Sequence, residues 1–224
     1  MFDRIAARYD LLNRLLSVGL DRRWRARAIA ALELTGRETV LDLCTGTADL
    51  ALAAVHNRQR RAARVVGVDF ASRMLDRGQA KLRQARVTEV RLIRGDALRI
   101  PLAAGSVDAV TIAFGIRNVS DPAVVCAEMA RVLRPGGQIA ILEFGIPQLP
   151  GLRVLYLWYF RRVLPRIGRL VSRHREAYAY LPASVSTFFS PEAFSDLLHQ
   201  AGFSVSHPVP LAFGIVYLYV AAKR

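Results

Sequence analysis

A loop of small and polar residues, 42–50 (DLCTGTADL), has the composition of a ligand site. Small residues let the backbone approach a ligand closely, and Gly46 can adopt dihedral angles that other residues avoid. A dinucleotide site would have the pattern G-x-G-x-x-G, which this loop lacks. Asp49 would repel a pyrophosphate at the start of the following helix and would suit a positively charged cofactor, such as a sulfonium. We therefore expect Asp42 and Gly46 to lie at a cofactor, with an ordinary tight turn as the alternative.

Two later carboxylates extend this pattern. Asp69 and Asp96 each follow a short run of apolar, β-branched residues. A carboxylate after the second strand can accept hydrogen bonds from both hydroxyls of a ribose. One after the third strand can accept from an adenine amine, while the backbone N–H of Ala97 meets a ring nitrogen. The alternatives are a helix cap at Asp69 and a turn at Asp96. Together, the features at three successive strand ends predict a nucleoside cofactor, S-adenosylmethionine in particular.

Alternating strands and helices are needed to bring these residues to one edge of a sheet. The apolar runs predict strands at 39–43, 65–68, 90–93, 107–113 and 138–144, with helices at 49–56 and 74–86 between the first three. A further helix begins at Pro122 after a cap at Ser120 or Asp121, and it ends before the segment 135–137 (PGG). This alternation is typical of a parallel sheet that is covered by helices on both faces.

The flanking parts depart from the alternation. Residues 1–34 read as an N-terminal helical cap, and residues 150–182 form a basic, aromatic insertion. A helix is predicted at 191–201, and strands at 203–209 and 215–222 form a closing pair with an antiparallel member. Since the chain has 224 residues and no linker, we expect a single domain over residues 1–224.

The composition limits the possible functions. Hydrophobic residues make up 53% of the chain, which excludes a disordered protein, and no apolar run reaches the roughly 18 residues that span a membrane. The formal net charge is +14, which favours an anionic partner such as nucleic acid or a phospholipid surface. The two cysteines and four histidines show no metal-ligand spacing, so no metal site is expected. We expect a cytoplasmic protein.

The chain resembles one methyltransferase family over nearly its whole length. The resemblance is carried by the opening residues 1–6 (MFDRIA) with Tyr9, by the segments around 42–49, 69–75 and 95–97, and most specifically by 114–119 (FGIRNV). Residues 131–137, 142–144 and 178–185 add further matches. This family is the UbiE/MenG family of quinone-biosynthesis C-methyltransferases. One departure is Ala48, because many members have glycine there.

The resemblance implies a Rossmann-like class I methyltransferase fold with a mostly parallel seven-stranded sheet, an antiparallel last strand and helices on both faces. It implies that S-adenosylmethionine is the cofactor, contacted by Thr47, Asp69, Phe70 and the pair Asp96 and Ala97. The implied reaction is C-methylation of a reduced prenyl quinone, demethylmenaquinol to menaquinol, as the last step of menaquinone biosynthesis. A benzoquinol of ubiquinone biosynthesis is the alternative acceptor.

Five residues are candidates for the acceptor side of the site. Arg117 would handle the quinol oxygen by stabilising a phenolate, with Asn118 orienting the same group, because arginine is too basic to take a proton. A structural salt bridge is the alternative role for Arg117. Tyr9, Phe114 and Tyr178 are expected to contact the quinol ring or hydroxyl, with core packing as the alternative for the tyrosines.

A prenylated substrate lies in a membrane, so the basic insertion at 150–182 could bring the protein to the membrane surface. Its aromatic residues and arginines suit peripheral contact with the anionic inner face of the cell membrane, and a packed lid is the alternative. A homodimer is also possible, and nucleic acid is not an expected partner.

Two rival functions remain at this point, an RNA methyltransferase and a non-catalytic S-adenosylmethionine-binding protein. The RNA enzyme would usually carry an extra binding domain or a base-methylating motif, and neither is present.

Overall fold

The structure, a computed structural model, describes residues 14, 17–57, 60–158, 162 and 183–224. The helices are α1 (Asp21–Ala30), α2 (Asp49–His56), α3 (Ser72–Ala85), α4 (Pro122–Val132), α5 (Pro150–Trp158) and α6 (Pro191–Gln200). The strands are β1 (Thr39–Leu43), β2 (Arg64–Asp69), β3 (Val90–Arg94), β4 (Val107–Ala113), β5 (Leu133–Phe144), β6 (Phe203–Val205), β7 (Val209–Leu211) and β8 (Val216–Lys223). Short 3-10 turns lie at Ile116–Asn118 and Ala212–Gly214, and residues 183–187 are helical.

One sheet organises these elements in the order β3-β2-β1-β4-β5-β8-β6, with β7 also paired to β8. Strands β1 to β5 are parallel, and β8 runs antiparallel to β5. The predicted α/β fold, with its parallel sheet and antiparallel closing strand, is confirmed. Chain order reverses between β1 and β4, and ligands bind at such a switch point beyond the carboxyl ends of the strands.

The sheet has eight strands where seven were expected, because the segment predicted as one strand at 203–209 is interrupted. Val205 lies opposite Ala221, whereas Val209 lies opposite Leu218, so four steps on one strand match three on the other. This one-residue bulge contains Pro208, which has no N–H to donate to the ladder. β6 and β7 are therefore two pieces of one edge, both paired to β8.

α4 ends at Val132, before the segment 135–137 (PGG) as predicted, but that segment does not stop the helix: it lies inside β5 as an outward bulge. Leu133 already pairs with Val107, and Gln138 then pairs with Ala109. Gly136 has φ 74°, in the left-handed region that favours glycine. At the start of α4, the side chain of Asp121 accepts hydrogen bonds from the next two free backbone N–H groups, so the predicted cap is confirmed at Asp121.

The core consists of two apolar clusters, one on each face of the sheet. Successive residues of β5 alternate between them: Ile139 and Ile141 face α4 and α6, while Ala140 and Leu142 face α1 and α2. A strand that is buried on both faces reads as a continuous apolar run, which is why β4 and β5 could be recognised from the sequence. The packing leaves the carboxyl ends of the parallel strands uncovered by these helices.

The cap and the insertion are described only in part. In the cap, α1 packs on α2 and β5 through buried residues that include Trp24 and Ile29. In the insertion, α5 and Arg162 are described, and 159–161 and 163–182 lie outside the described residues. The division into a domain with a cap and an insertion therefore stays a prediction. None of the helices within the described ranges is long and apolar enough to cross a membrane.

Candidate active site

A cavity of about 350 Å³ opens at the carboxyl edge of the sheet, at the switch point between β1 and β4. Its size falls within the range of roughly 300 to 1,000 Å³ that is usual for small-molecule sites. The walls come from the ends of β1, β2, β3 and β4 and the loops that follow them. Its lining residues are Leu43, Cys44, Gly46, Val68, Asp69, Phe70, Ala71, Met74, Gly95, Asp96, Ala97, Leu98, Ala113, Phe114, Gly115, Asn118, Val119 and Ser120.

The loop after β1 has an unusual backbone. Cys44, Gly46 and Ala48 all have φ between 55° and 65°, in the left-handed region that residues other than glycine rarely adopt. Such residues persist only where surrounding contacts hold them, and they cluster at functional sites. The conformation of Ala48 also explains why a glycine is common at this position in the resembled family.

Asp42, which we expected at the cofactor, lies beneath this loop. Its carboxylate is almost fully buried and accepts hydrogen bonds from the hydroxyls of Thr45 (2.5 Å) and Thr111 (2.8 Å). Burial raises the pKa of Asp42 to about 6, although both hydroxyls and Arg25 act against that rise. Asp42 lines only a small side cavity next to the loop, so its visible function is to fix the loop to β4.

The carboxylate of Asp69 forms hydrogen bonds with the loop after β1 and with the loop after β2. One oxygen accepts from the backbone N–H of Gly46 and the other from that of Ala71, both at 2.8 Å. The second bond forms a local turn and not the helix cap that we considered as the alternative role of Asp69, because no side chain caps α3. The first bond is a contact across 23 residues. A carboxylate can accept about four hydrogen bonds, so these bonds are compatible with the predicted contact to a ribose diol. Asp69 also lines the cavity.

The end of the cavity at β3 carries the residues predicted for the adenine. Asp96 and the buried Ala97 both line it. One oxygen of Asp96 accepts from the backbone N–H of Leu98 at 2.9 Å, which is the predicted alternative of a turn. Phe70 lines the same wall and exposes 69% of its surface, and the Arg94 guanidinium lies 5.7 Å from its ring centroid. An exposed aromatic face of this kind suits stacking with a flat ligand.

Thr47 and Asp49 lie at the small side cavity and not in the lining of the main one. Thr47 is buried, accepts a hydrogen bond from Lys81 Nζ (2.9 Å) and lines only the side cavity. Asp49 forms an ion pair with Lys81 (2.6 Å) and lies 3.8 Å from a guanidinium nitrogen of Arg25. Since two cations offset its charge, Asp49 is a weaker argument for a positively charged cofactor than the sequence suggested.

The turn after β4 is built around the carbonyl of Phe114. Phe114 has φ 60°, and its carbonyl accepts hydrogen bonds from Arg117 Nη1 (2.5 Å) and Asn118 Nδ2 (3.2 Å). Arg117 also forms an ion pair of 2.7 Å with Glu143, which is fully buried. The salt bridge that we considered as the alternative role of Arg117 is therefore present. Among the described residues, Arg117 Nε and Asn118 Oδ1 are buried and lack a hydrogen-bond partner.

Sequence reasoning assigned no role to Glu143, although its motif 142–144 contributed to the resemblance. The available signal was a carboxylate that directly follows the apolar run 139–142 of a strand. A charged group in such a place is rarely buried without a partner. Removal of Arg117 alone would leave that carboxylate buried and unpaired, which typically costs about 3–5 kcal/mol of stability.

Aromatic rings connect the turn to the cap. Phe114 stacks on Phe144 with ring centroids 4.5 Å apart, and Trp24 meets the edge of Phe114 at 6.2 Å. The guanidinium of Arg25 lies 5.9 Å from the Phe114 ring and that of Arg117 lies 5.2 Å from the Phe144 ring. Gly115 permits close packing here, because an added Cβ would lie 2.4 Å from the Cβ of Cys44.

Some predicted residues are not at the cavity or cannot be placed. Tyr9 and Tyr178 lie outside the described residues. His56, His199 and His207 are exposed and absent from the cavity lining. Cys126 is buried in the core, whereas Cys44 lines the cavity. No cluster of metal-ligand side chains occurs in the described part of the chain.

Known proteins resemble this chain in sequence and fold. Residues 1–223 match the ubiE/COQ5 methyltransferase family. A demethylmenaquinone methyltransferase of Thermus thermophilus is 47% identical over 100% of both chains. A ubiquinone/menaquinone biosynthesis C-methyltransferase UbiE of Syntrophotalea carbinolica is 48% identical over 100% of this chain and 92% of its own. A chain from the complex of the Haloferax volcanii Trm112 methyltransferase activator with a methyltransferase superposes with a TM-score of 0.72 at 18% identity, over 100% of this chain and 97% of that one. The last match confirms the fold class.

The buried carboxyl of Asp42 should make stability depend on pH. Its folded-state pKa of about 6 is above the ordinary value of 3.8, so the group favours folding when it is protonated. That contribution is complete below about pH 4 and is lost as the pH rises through about 6. We expect the free energy of unfolding of Asp42→Asn, relative to the unsubstituted protein, to increase from pH 4 to pH 6 and then level off.

Urea unfolding at pH 4 to 8 would measure this difference. The exposed Asp76→Asn variant, on α3, corrects for the loss of one carboxylate. A difference between Asp42→Asn and the unsubstituted protein that is constant over this range would contradict the assignment.

Proposed function

The chain belongs to the ubiE/COQ5 methyltransferase family, and we propose that it methylates a ring carbon of a reduced prenyl quinone, using S-adenosylmethionine. The family match confirms the predicted family and the predicted class of enzyme. The observation that carries the quinone is the full-length identity of 47–48% to relatives whose names specify quinone methylation.

Demethylmenaquinol is the acceptor that we propose first. The Thermus relative named for that reaction matches over the whole length of both chains. A benzoquinol is the second candidate, because relatives named for both ubiquinone and menaquinone biosynthesis reach similar identity. The ring must be reduced, since a quinol can direct electron density onto the carbon beside its hydroxyl and a quinone cannot.

The residues at the cavity fit the proposed cofactor. Asp69 would accept from the ribose hydroxyls, Asp96 and Ala97 would meet the adenine edge, and Phe70 would cover its face. The amino-acid tail would then lie along the loop at Gly46, towards the side cavity. The cavity volume of about 350 Å³ is sufficient for a nucleoside ligand. Thr47 and Asp42 would contribute by fixing the loop.

Transfer requires the ring carbon, the methyl group and the sulfur in line. S-adenosylmethionine supplies the methyl group from its sulfonium, and the ring carbon then loses its proton. The chain would contribute mainly by orienting the two reactants, which can account for roughly 7–11 kcal/mol of a barrier. Apolar lining residues such as Leu43, Met74 and Val119 would keep water from the reacting atoms.

Arg117 and Asn118 are the proposed catalytic residues. The support is chemical complementarity: one unpartnered donor, Arg117 Nε, and one unpartnered acceptor, Asn118 Oδ1, are buried on the same turn. Asn118 lines the cavity and could bond to a quinol hydroxyl there, whereas Arg117 lies outside the lining and would act through its charge. The permanent charge of Arg117 would favour the phenolate, while the proton leaves to water. Tyr9, Phe114 and Tyr178 remain proposed contacts to the ring.

A prenyl tail implies contact with a membrane, and we propose that α5 and the turn before β8 provide it. Val154, Leu155, Trp158 and Phe213 are exposed apolar residues, and Phe213 exposes 75% of its surface. Residues 144–175 contain seven arginines and no acidic residue, which suits anionic lipid. Gly145 N–H bonds to Ile215 O, so that turn adjoins the chain leading to α5. Homodimerisation remains a prediction.

Product formation tests the function directly. The protein is incubated with S-adenosylmethionine and chemically reduced demethylmenaquinone, and the methylated product is detected by mass. We expect methylation with the reduced quinone and none with the oxidised form. Failure with reduced naphthoquinones and benzoquinones alike would exclude quinone methylation.

Cofactor binding tests the assignment of Asp69. Asp69→Asn would weaken the bonds to Gly46 N–H and to the ribose, and a hydrogen bond to a charged group contributes about 1.5–3 kcal/mol. We expect the dissociation constant for the cofactor to increase roughly 10- to 100-fold by calorimetry. The control is Asp76→Asn on exposed α3, which should bind as the unsubstituted protein does. Equal affinity in both variants would show that Asp69 does not contact the cofactor.

Vesicle sedimentation tests the membrane contact. We expect binding to vesicles that contain phosphatidylglycerol, less binding at high salt and little to pure phosphatidylcholine. Trp158→Ser combined with Phe213→Ser should reduce binding, whereas Val124→Ser removes an exposed apolar residue from α4 and should not. Equal sedimentation of both variants would locate the contact elsewhere.

A further inference from the structure

Glu143 has no assigned role, yet it is the fully buried carboxylate next to the proposed catalytic turn. It accepts three hydrogen bonds, from Arg117 Nη1 (2.7 Å), from the Arg117 backbone N–H (3.2 Å) and from the Phe144 backbone N–H (2.9 Å). It therefore binds both the side chain and the main chain of one residue. Its position at the end of β5 makes it part of the rigid sheet rather than of the loop.

The contacts continue from Glu143 to the cavity. The same Nη1 of Arg117 that bonds to Glu143 also donates to the carbonyl of Phe114, and Asn118 donates to that carbonyl as well. Phe114 has left-handed backbone, which persists only when its surroundings hold it. Both Phe114 and Asn118 line the cavity. One ion pair thus links the sheet to two residues of the cavity wall.

We propose that Glu143 is a positioning residue for methyl transfer, acting through Arg117. An arginine has four rotatable side-chain bonds, and the ion pair together with the ring of Phe144 restricts them. With the guanidinium fixed, the carbonyl of Phe114 and the side chain of Asn118, two residues that line the cavity, keep set positions next to the substrate. The inference rests on the proposed quinol methylation for its effect on turnover, but the fixed geometry of Arg117 can be observed without turnover.

A second glutamate–arginine pair allows the positioning role to be separated from a structural one. Glu128 pairs with Arg131 at 2.6 Å on α4, and neither lines the cavity. Glu128→Gln should thus lose an ion pair without affecting the turn at Phe114. The matched change is Glu143→Gln, whose one amide oxygen can keep only part of these bonds, because the N–H of residue 117 bonds to Oε2 and that of residue 144 to Oε1.

The experiment measures kcat, KM, the cofactor dissociation constant and the side-chain 1H–15N signal of Arg117 Nε. For Glu143→Gln we expect kcat to fall about 10- to 100-fold, which is the typical effect of small misplacement in an active site. KM and the cofactor dissociation constant should change little, and the Arg117 signal should shift and broaden. Glu128→Gln should leave kcat and the Arg117 signal unchanged.

A second variant serves as a control, because the unpaired buried arginine of Glu143→Gln could lower kcat by unfolding the protein. Arg117→Met combined with Glu143→Gln removes both charges together, and we expect its kcat to equal that of Arg117→Met alone. If Glu143 acted independently of Arg117, kcat of the double variant would fall further, and the proposal would be wrong.

The outcomes separate this inference from the proposed function. An unsubstituted protein that methylates no reduced quinone refutes the function, while the Arg117 signal still reports whether Glu143 fixes that side chain. An unchanged Arg117 signal in Glu143→Gln overturns the inference even if quinol turnover is confirmed. A Glu143→Gln variant whose kcat matches that of Glu128→Gln overturns it as well.

Discussion

Left-handed backbone at residues other than glycine is the constraint on which the cavity depends. Cys44, Ala48 and Phe114 adopt it where β1 and β4 end. Each such residue costs of order 1–3 kcal/mol, so the turns hold their shape only because buried polar side chains bind them. Asp42 fixes the first turn from below, and Arg117 and Asn118 hold the carbonyl of the second. The strands place these turns side by side, and the polar contacts give them their shape.

The buried charges are arranged to define geometry more than to add stability. Replacing a buried ion pair with apolar residues is often neutral or stabilising, whereas removing one partner is strongly unfavourable. Glu143 and Arg117 form such a pair, and Asp49 with Lys81 forms a more exposed one at the neighbouring loop. The first pair bonds to Phe114, which lines the cavity, and Asp49 of the second pair lines the side cavity, so a small displacement of either would alter the cavity walls. We see in them the same division of roles: the apolar core supplies the stability, and the ion pairs fix the turns.

The sequence predicted the elements whose signals are local. β1, α2 and β4 have the predicted bounds, and Asp121 caps α4, because apolar runs and capping residues act over a few positions. The split of the edge strand was not predicted, since the one-residue shift depends on its pairing with β8. The charge partners of Asp49 and Arg117 come from residues 32 and 26 positions away, so no spacing rule could identify them. For Arg117, the distant partner Glu143 shows that the structural salt bridge is present, which was one of the two roles that we considered.

The antiparallel direction of β8 separates the two ends of the closing strand. Val216 pairs with Phe144 at the cavity edge, and seven residues later Lys223 lies beside Phe203 at the opposite edge, roughly 23 Å away at the usual rise per residue. A tether attached after residue 224 would therefore emerge on the side of the sheet remote from the cavity. A protein immobilised through such a tether would turn the cavity edge of its sheet towards a lipid bilayer placed opposite. Reflectometry could then measure its contact with the lipid in this orientation.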